Sequence, residues 1–239
     1  MAAPAEAHAA PHETGTRSLL WSRVASLLSV LPLGVWTINH LWNNLAAFSG
    51  KEAWEREVTH YSNPLAHAAT LIIVFLPLII HTVWGFQRLG SFKPNNGRYG
   101  TFANLKYILQ RAAAVGVFFF LGAHIWLAML RPRLLEGRAE PFEAIAREMH
   151  HHTPTLVVYL LGTLGVAWHL GNGLSSFAWQ WGLVGSKSGL KRFDWLSYVI
   201  FGVLLIMSWG VIYALWSAGT DLGDPSIRPE PPPFPDAGN

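Results

Sequence analysis

Cysteine is absent from the 239 residues. Its absence excludes disulfides, thiolate metal sites, cysteine-ligated iron–sulfur clusters and thioether-linked haem in this chain. Charge is scarce as well: only 13% of residues are Asp, Glu, Lys or Arg, about half the quarter usual in a soluble domain. The deficit is concentrated. Val24–Gly50, Tyr61–Gln87, Ala112–Leu130, Met149–Ser186 and Trp195–Thr220 contain none of the four. A bilayer core requires about 20 mostly apolar residues per helix, and in lipid the backbone must satisfy its own hydrogen bonds, which favours helix. A transmembrane barrel would show short alternating segments instead. The expected fold is therefore all-α, an integral membrane bundle of five transmembrane helices. Residues 1–16 are Ala-rich and polar with no apolar core, so no cleaved signal peptide is expected. The sequence divides into a tail (1–18), the five-helix membrane domain (19–220) and a Pro-rich tail (221–239).

Five spans put the termini on opposite sides. One side takes Arg17, Arg23, Arg88, Lys93, Arg98, Lys106, Arg111, Lys187, Lys191 and Arg192 against only Glu6, Glu13 and Asp194, leaving seven bases and eleven acids for the other. This Lys/Arg excess predicts a cytoplasmic N-terminus. The pI near 9.3 arises from these membrane-flanking loops, so no nucleic-acid partner is expected.

Inside the uncharged runs stand four histidines: His40 in "INHL", His81 in "LPLIIH", His124 in "AHIW" and His169 in "HLGNGL". A bare imidazole in such surroundings needs partners for its ring nitrogens. At 1.5 Å per residue, His40 and His124 lie about 10 Å below the outer surface, and His81 and His169 about 21–25 Å below it. Two levels, each with two histidines from different helices, suit two stacked bis-histidine haems. One would sit on His40 and His124, the other on His81 and His169, both between the first four spans. Iron with two imidazoles serves electron transfer and not oxygen binding. Gly165, Gly173 and Gly85 each lie four residues from a histidine, on its helical face, where small residues would admit a flat macrocycle. One such histidine alone would read as polar glue between helices, with the glycines serving tight packing. The "HHH" at 150–152 reads as an interfacial polar cluster, and His67 as lining a pocket beside the outer pair.

Taken together, "RVASLLSVLPLG", "INHL", "FLPLIIHTVWG", "NNGRYGTFANLKYILQR", "AHIW" and "HLGNGL" resemble the dihaem cytochrome b anchors of the succinate dehydrogenase/fumarate reductase family. The single-anchor, two-haem, succinate:menaquinone-like type is the nearest, and the resemblance spans about residues 20–218. It implies a proximal b-type haem on His81 and His169 and a distal one on His40 and His124. It also implies a flavoprotein and an iron–sulfur partner on the cytoplasmic face, (mena)quinone as substrate, and a place in the bacterial cytoplasmic membrane. The chain would be part of an enzyme complex without oxidising succinate itself. Arg23 and Arg111 are candidates for haem propionates, and His60, Asn63 and His67 for the quinone pocket. Some fumarate-reducing relatives carry a Glu near the fourth-helix ligand and an acid near the outer end of the second. Residues 149–186 and 61–87 have none.

The alternatives are a quinol:fumarate reductase anchor working in the opposite direction, and a haem-free anchor or divalent-metal transporter. The transporter requires ligands clustered at one level, against the two-level split. One ligand per helix at 40, 81, 124 and 169 also departs from the respiratory bc pattern, where each of two helices supplies two ligands.

Overall fold

The computed structural model describes residues 12–59, 68–91, 97, 100–135, 137, 139 and 141–224, with side chains from residue 19 onward. Among them there is no strand. Five helices are long and apolar enough to cross a membrane: α1 (Leu19–Ser49), α2 (Ala68–Leu89), α3 (Phe102–Leu135), α5 (Thr153–Gln180) and α6 (Lys187–Asp221). They match the five uncharged runs. Helical backbone continues α1 back to His12. A shorter helix, α4 (Phe142–His151), intervenes between α3 and α5. Large apolar side chains point outward, with Ile206 76% and Phe119 69% exposed. Such a surface suits lipid and not water.

Local chemistry sets the helix ends. Thr101 Oγ1 accepts from the Asn104 N–H at the start of α3, and Ser186 Oγ accepts from the Gly189 N–H at the start of α6, as N-caps do. Helix α5 closes with Gly182 at φ 69°. The Leu183 N–H there donates to the Ala178 carbonyl at 2.9 Å, and the Gly182 N–H to Trp179 at 3.1 Å. This paired arrangement needs the left-handed conformation glycine tolerates. Within the spans, three π-helical turns accompany prolines. Ser29–Gly34 contains Pro32, Leu71–Phe75 precedes Pro77, and Trp126–Leu130 precedes Pro132. Proline has no N–H and crowds the carbonyl four residues back, so the hydrogen-bond ladder resets there.

The core gathers at the end opposite the N-terminus. There α4 lies across the bundle and buries Phe142, Ile145, Ala146 and Met149 against Trp54, Tyr159, Val211 and Leu215. Those four positions follow the i, i+3, i+4, i+7 stripe of an amphipathic helix. Glu55 accepts from the Phe142 N–H at 3.1 Å and so caps α4 from outside it. Lys51 donates to Glu143 at 2.9 Å. At Gly219 the backbones of α6 and α4 touch, with the Ala146 carbonyl where a side chain would be.

At the N-terminal end, polar contacts tie the helices together. Gln180 donates to Ser22 at 2.5 Å and Trp181 to Ser26 at 3.1 Å. Lys106 pairs with Asp194 at 2.8 Å, and Ser175 also donates to Asp194 at 2.8 Å. Between the ends, α5 and α6 cross closely at Gly171, where a Cβ would lie 2.8 Å from the Ser197 carbonyl.

Candidate functional site

Of the sequence-predicted residues, the four membrane histidines meet in two pairs. His40 of α1 faces His124 of α3, with ring centres 5.9 Å apart and planes at 73°. His81 of α2 faces His169 of α5, with ring centres 6.0 Å apart and planes at 68°. All four remain partly exposed. Two imidazoles opposed in this way can take one metal ion between them.

Neighbours hold each ring. Trp36, one turn before His40, stacks on it at 4.6 Å and 10°. Asn44 donates to the His40 carbonyl at 2.8 Å. Phe120 stacks on His124 at 5.6 Å and 21°, and the Tyr159 hydroxyl lies 3.1 Å from His124 Nδ1. The Phe120 ring in turn rests directly on Gly162, so glycine at 162 is what lets α3 and α5 close around this pair. In the other pair, His81 Nδ1–H donates to the Ala25 carbonyl at 3.4 Å, and Trp84 leans on the ring at 5.7 Å. The Gln110 amide nitrogen lies 3.1 Å from His169 Nδ1. Three of the four rings therefore have a polar partner at Nδ1, with Nε2 the nitrogen left for a metal. That is how outer hydrogen bonds orient metal-binding histidines.

The two arginines differ. Arg23 is exposed, with its guanidinium 5.7 Å from the Trp181 ring centre. Arg111 lies 5.1 Å from the Tyr107 ring, and its buried Nε has no hydrogen-bond partner. Among the described residues, only Arg147 Nε and Trp168 Nε1 share that condition. An orphaned buried donor is costly and suits an anionic group arriving from outside the chain.

A Cβ at Gly165 would meet Val117 at 3.4 Å, and one at Gly173 would meet Gln110 at 3.7 Å, ordinary contacts with α3. Gly85 has nothing within 4 Å of a Cβ position. His60, Asn63 and His67 lie outside the described residues.

The triple histidine is tied down locally. His150 Nδ1 reaches the Trp216 carbonyl (3.0 Å), His151 Nε2 the Leu222 carbonyl (2.7 Å), and His152 Nδ1 the Thr155 hydroxyl (2.6 Å). Among the described residues no group of three or more His, Cys, Asp or Glu is placed to hold a metal ion.

Sequence reasoning missed Trp36, Gln110, Phe120 and Tyr159. Trp36 and Phe120 had a usable signal: each stands four residues before a histidine on the same helix, hence on its face. Gln110 and Tyr159 reach their histidines across helices, and no spacing reveals that.

No family model matches the chain. Over 204 residues it is 30% identical to the succinate dehydrogenase cytochrome b558 subunit of Bacillus subtilis (strain 168), a match that covers 84% of this chain and 98% of that protein. At that identity over nearly the whole length, with five membrane-spanning helices and opposed histidines between them, the chain belongs to the family of succinate dehydrogenase cytochrome b subunits.

Proposed function

We propose that the chain is the membrane-anchor cytochrome b subunit of a succinate:quinone oxidoreductase, passing electrons from an iron–sulfur subunit to a quinone over two b-type haems. His81 and His169 would hold the proximal haem, and His40 and His124 the distal one. The observation that carries this reading is the spacing of the two pairs. An imidazole nitrogen binds a transition metal at about 2 Å, and the ring centre stands about 1 Å further back. Two imidazoles on opposite sides of one iron therefore put ring centres about 6 Å apart, and the two pairs measure 5.9 and 6.0 Å. The donor set is also right: two imidazoles per site and, without cysteine, no competing thiolate.

When bound, a bis-imidazole haem supplies one-electron transfer without an open position for oxygen. The protein's own contribution is to hold and shield. Trp36 and Phe120 fix two of the rings by stacking, while the Ala25 carbonyl, Tyr159 and Gln110 fix Nδ1 on three. The Arg111 Nε–H is available to a propionate. Surrounding apolar helices keep water away, so little rearrangement accompanies each change of charge.

The reading extends to a flavoprotein and an iron–sulfur subunit seated at the N-terminal end, where Lys106, Arg111, Lys187, Lys191 and Arg192 lie. It places that end in the bacterial cytoplasm, takes menaquinone as the electron acceptor, and assigns His60, Asn63 and His67 to its pocket.

The test is haem stoichiometry and a reduced-minus-oxidised spectrum of the purified complex, repeated on single His→Ala variants at 40, 81, 124 and 169. The expected result is two haems, with 40 and 124 affecting one and 81 and 169 the other. A complex without haem, or with one haem indifferent to two of the four, overturns the reading.

A further inference from the structure

The Gln110 carboxamide makes three contacts onto one stretch of α5. Its Nε2 lies 3.1 Å from His169 Nδ1 and donates to the His169 backbone carbonyl at 3.0 Å. Its Oε1 accepts from Asn172 Nδ2 at 2.8 Å, and Asn172 is buried.

The contacts restrain the side chain without fixing which end meets Nδ1, because Asn172 is itself an amide and can turn with Gln110 while keeping their hydrogen bond. A ring that binds metal through Nε2 carries its proton on Nδ1, and there the Gln110 oxygen is the end that accepts from it. In either arrangement the amide holds the rotation of the His169 ring.

The opposite ring of this pair is held by other means, a single long contact to the Ala25 backbone carbonyl. In the other pair a phenol hydroxyl, from Tyr159, takes the place of the amide. The two sites are thus built from the same imidazoles but with different groups behind them. Groups behind a ligating histidine set its orientation and its donor strength.

We propose that Gln110, held in place by Asn172, is a positioning residue for His169 that sets the reduction potential of the haem on His81 and His169 without touching the other haem. The inference rests on the haem reading above. Gln110 itself contacts no reacting atom; it acts through the ring.

The experiment is a redox titration of the purified complex, followed optically and by low-temperature paramagnetic resonance of the oxidised haems. The two signals are first assigned with His169→Ala and His124→Ala. Gln110→Met keeps the side-chain length and removes both polar atoms. It is expected to retain both haems, to move the midpoint and the resonance position of the proximal haem, and to leave those of the distal haem in place. Asn172→Leu, which leaves Gln110 present but without this hydrogen bond, is expected to move the same haem by less.

A Gln110→Met complex with both haems bound and both midpoints and resonances unchanged overturns the inference. So does a shift shared equally by the two haems, which would mark a general loosening of the bundle. If Gln110→Met does not assemble, Asn172→Leu decides by the same criteria. The parent reading fails separately: there the unmodified complex binds no haem, or His169→Ala loses none.

Discussion

Tyr159 of α5 presents its hydroxyl to Nδ1 of His124 on α3 at 3.1 Å, while Phe120, one turn away on α3, stacks on the same imidazole. One aromatic holds the ring by its face and the other by its edge nitrogen. Replacing Tyr159 with Phe removes only the second restraint. The loss of one buried hydrogen bond is expected to cost about 0.5–1.5 kcal/mol, read as a lower melting temperature of the complex in detergent. The optical signature of the haem that His124→Ala abolishes should change, and that of the other haem should not.

Gly171 marks a tight crossing of α5 and α6. A Cβ there would stand 2.8 Å from the Ser197 carbonyl and 3.0 Å from the Phe201 Cβ. Gly171→Ala forces the helices apart and is expected to destabilise the complex by about 1–3 kcal/mol. Gly202→Ala, with nothing within 4 Å of the new methyl, is expected to leave the melting temperature unchanged or slightly raised, since alanine favours helix. Comparable melting curves for the two variants would contradict this.

Lys106 and Asp194 are the one ion pair of the described residues in which both side chains are less than a third exposed, at 16% and 32%. Asp194 also accepts from Ser175, which touches Ser197 at 2.9 Å. Asp194→Leu leaves the Lys106 ammonium in apolar surroundings without its counter-charge, expected to cost about 2 kcal/mol. Removing both charges, as in Lys106→Met with Asp194→Leu, should recover most of that loss, because paired charges gain little over apolar packing. A double-mutant cycle on thermal stability measures the coupling. Additive single effects would contradict it.

A pH effect is expected where α4 meets the loop after α1. The hydrogen bond from Lys51 and its charge hold the Glu143 carboxyl below the usual carboxylate range, and Glu143 likewise raises the Lys51 ammonium. The Glu143 contribution to stability is present above the unfolded carboxylate value and lost as pH falls through the lower folded one. That of Lys51 is present below the unfolded ammonium value and lost as pH rises through the higher folded one. Both groups are exposed, so the effect is small and screened by salt. Glu143→Gln should flatten the acid limb of the melting-temperature profile at low ionic strength, and added salt should flatten it in the unmodified complex. An acid limb identical in the variant would contradict the assignment.

Depth was legible in the sequence because the rise of a helix is fixed. Counting from the ends of the uncharged runs was enough to match His40 with His124 and His81 with His169, the partners that face each other in the structure. Contacts between helices were not legible. Gln110 and Tyr159 reach histidines 59 and 35 residues away, and which polar side chain bridges which neighbours depends on helix packing. The glycines flanking His169 show the same limit: spacing placed them on its face, and only the structure shows their neighbours to be Val117 and Gln110 of α3. Helix α4 was readable too: Phe142, Ile145, Ala146 and Met149 form an amphipathic stripe among the acids Glu140, Glu143 and Glu148.

The proline-associated π turns have a consequence for direction. A π turn accommodates about one more residue than an α turn, and one residue corresponds to about 100° around a helix axis. Each therefore works as a rotary joint. The half of α1 that meets α2 at Ala25 is set to one azimuth, and the half that carries His40 is set to another, with Ser29–Gly34 taking up the difference. Pro77 and Pro132 adjoin the same device near His81 and His124. Were the same residues Ser29–Gly34 wound as α-helix instead, His40 would turn by about 100°, away from His124. The turn at Pro32 thus lets His40 be aimed independently of the surface by which the first half of α1 packs, while His81 and His124 stay on the α-helical pieces, Leu76–Leu89 and Phe102–Ile125, that pack on α1 and α5.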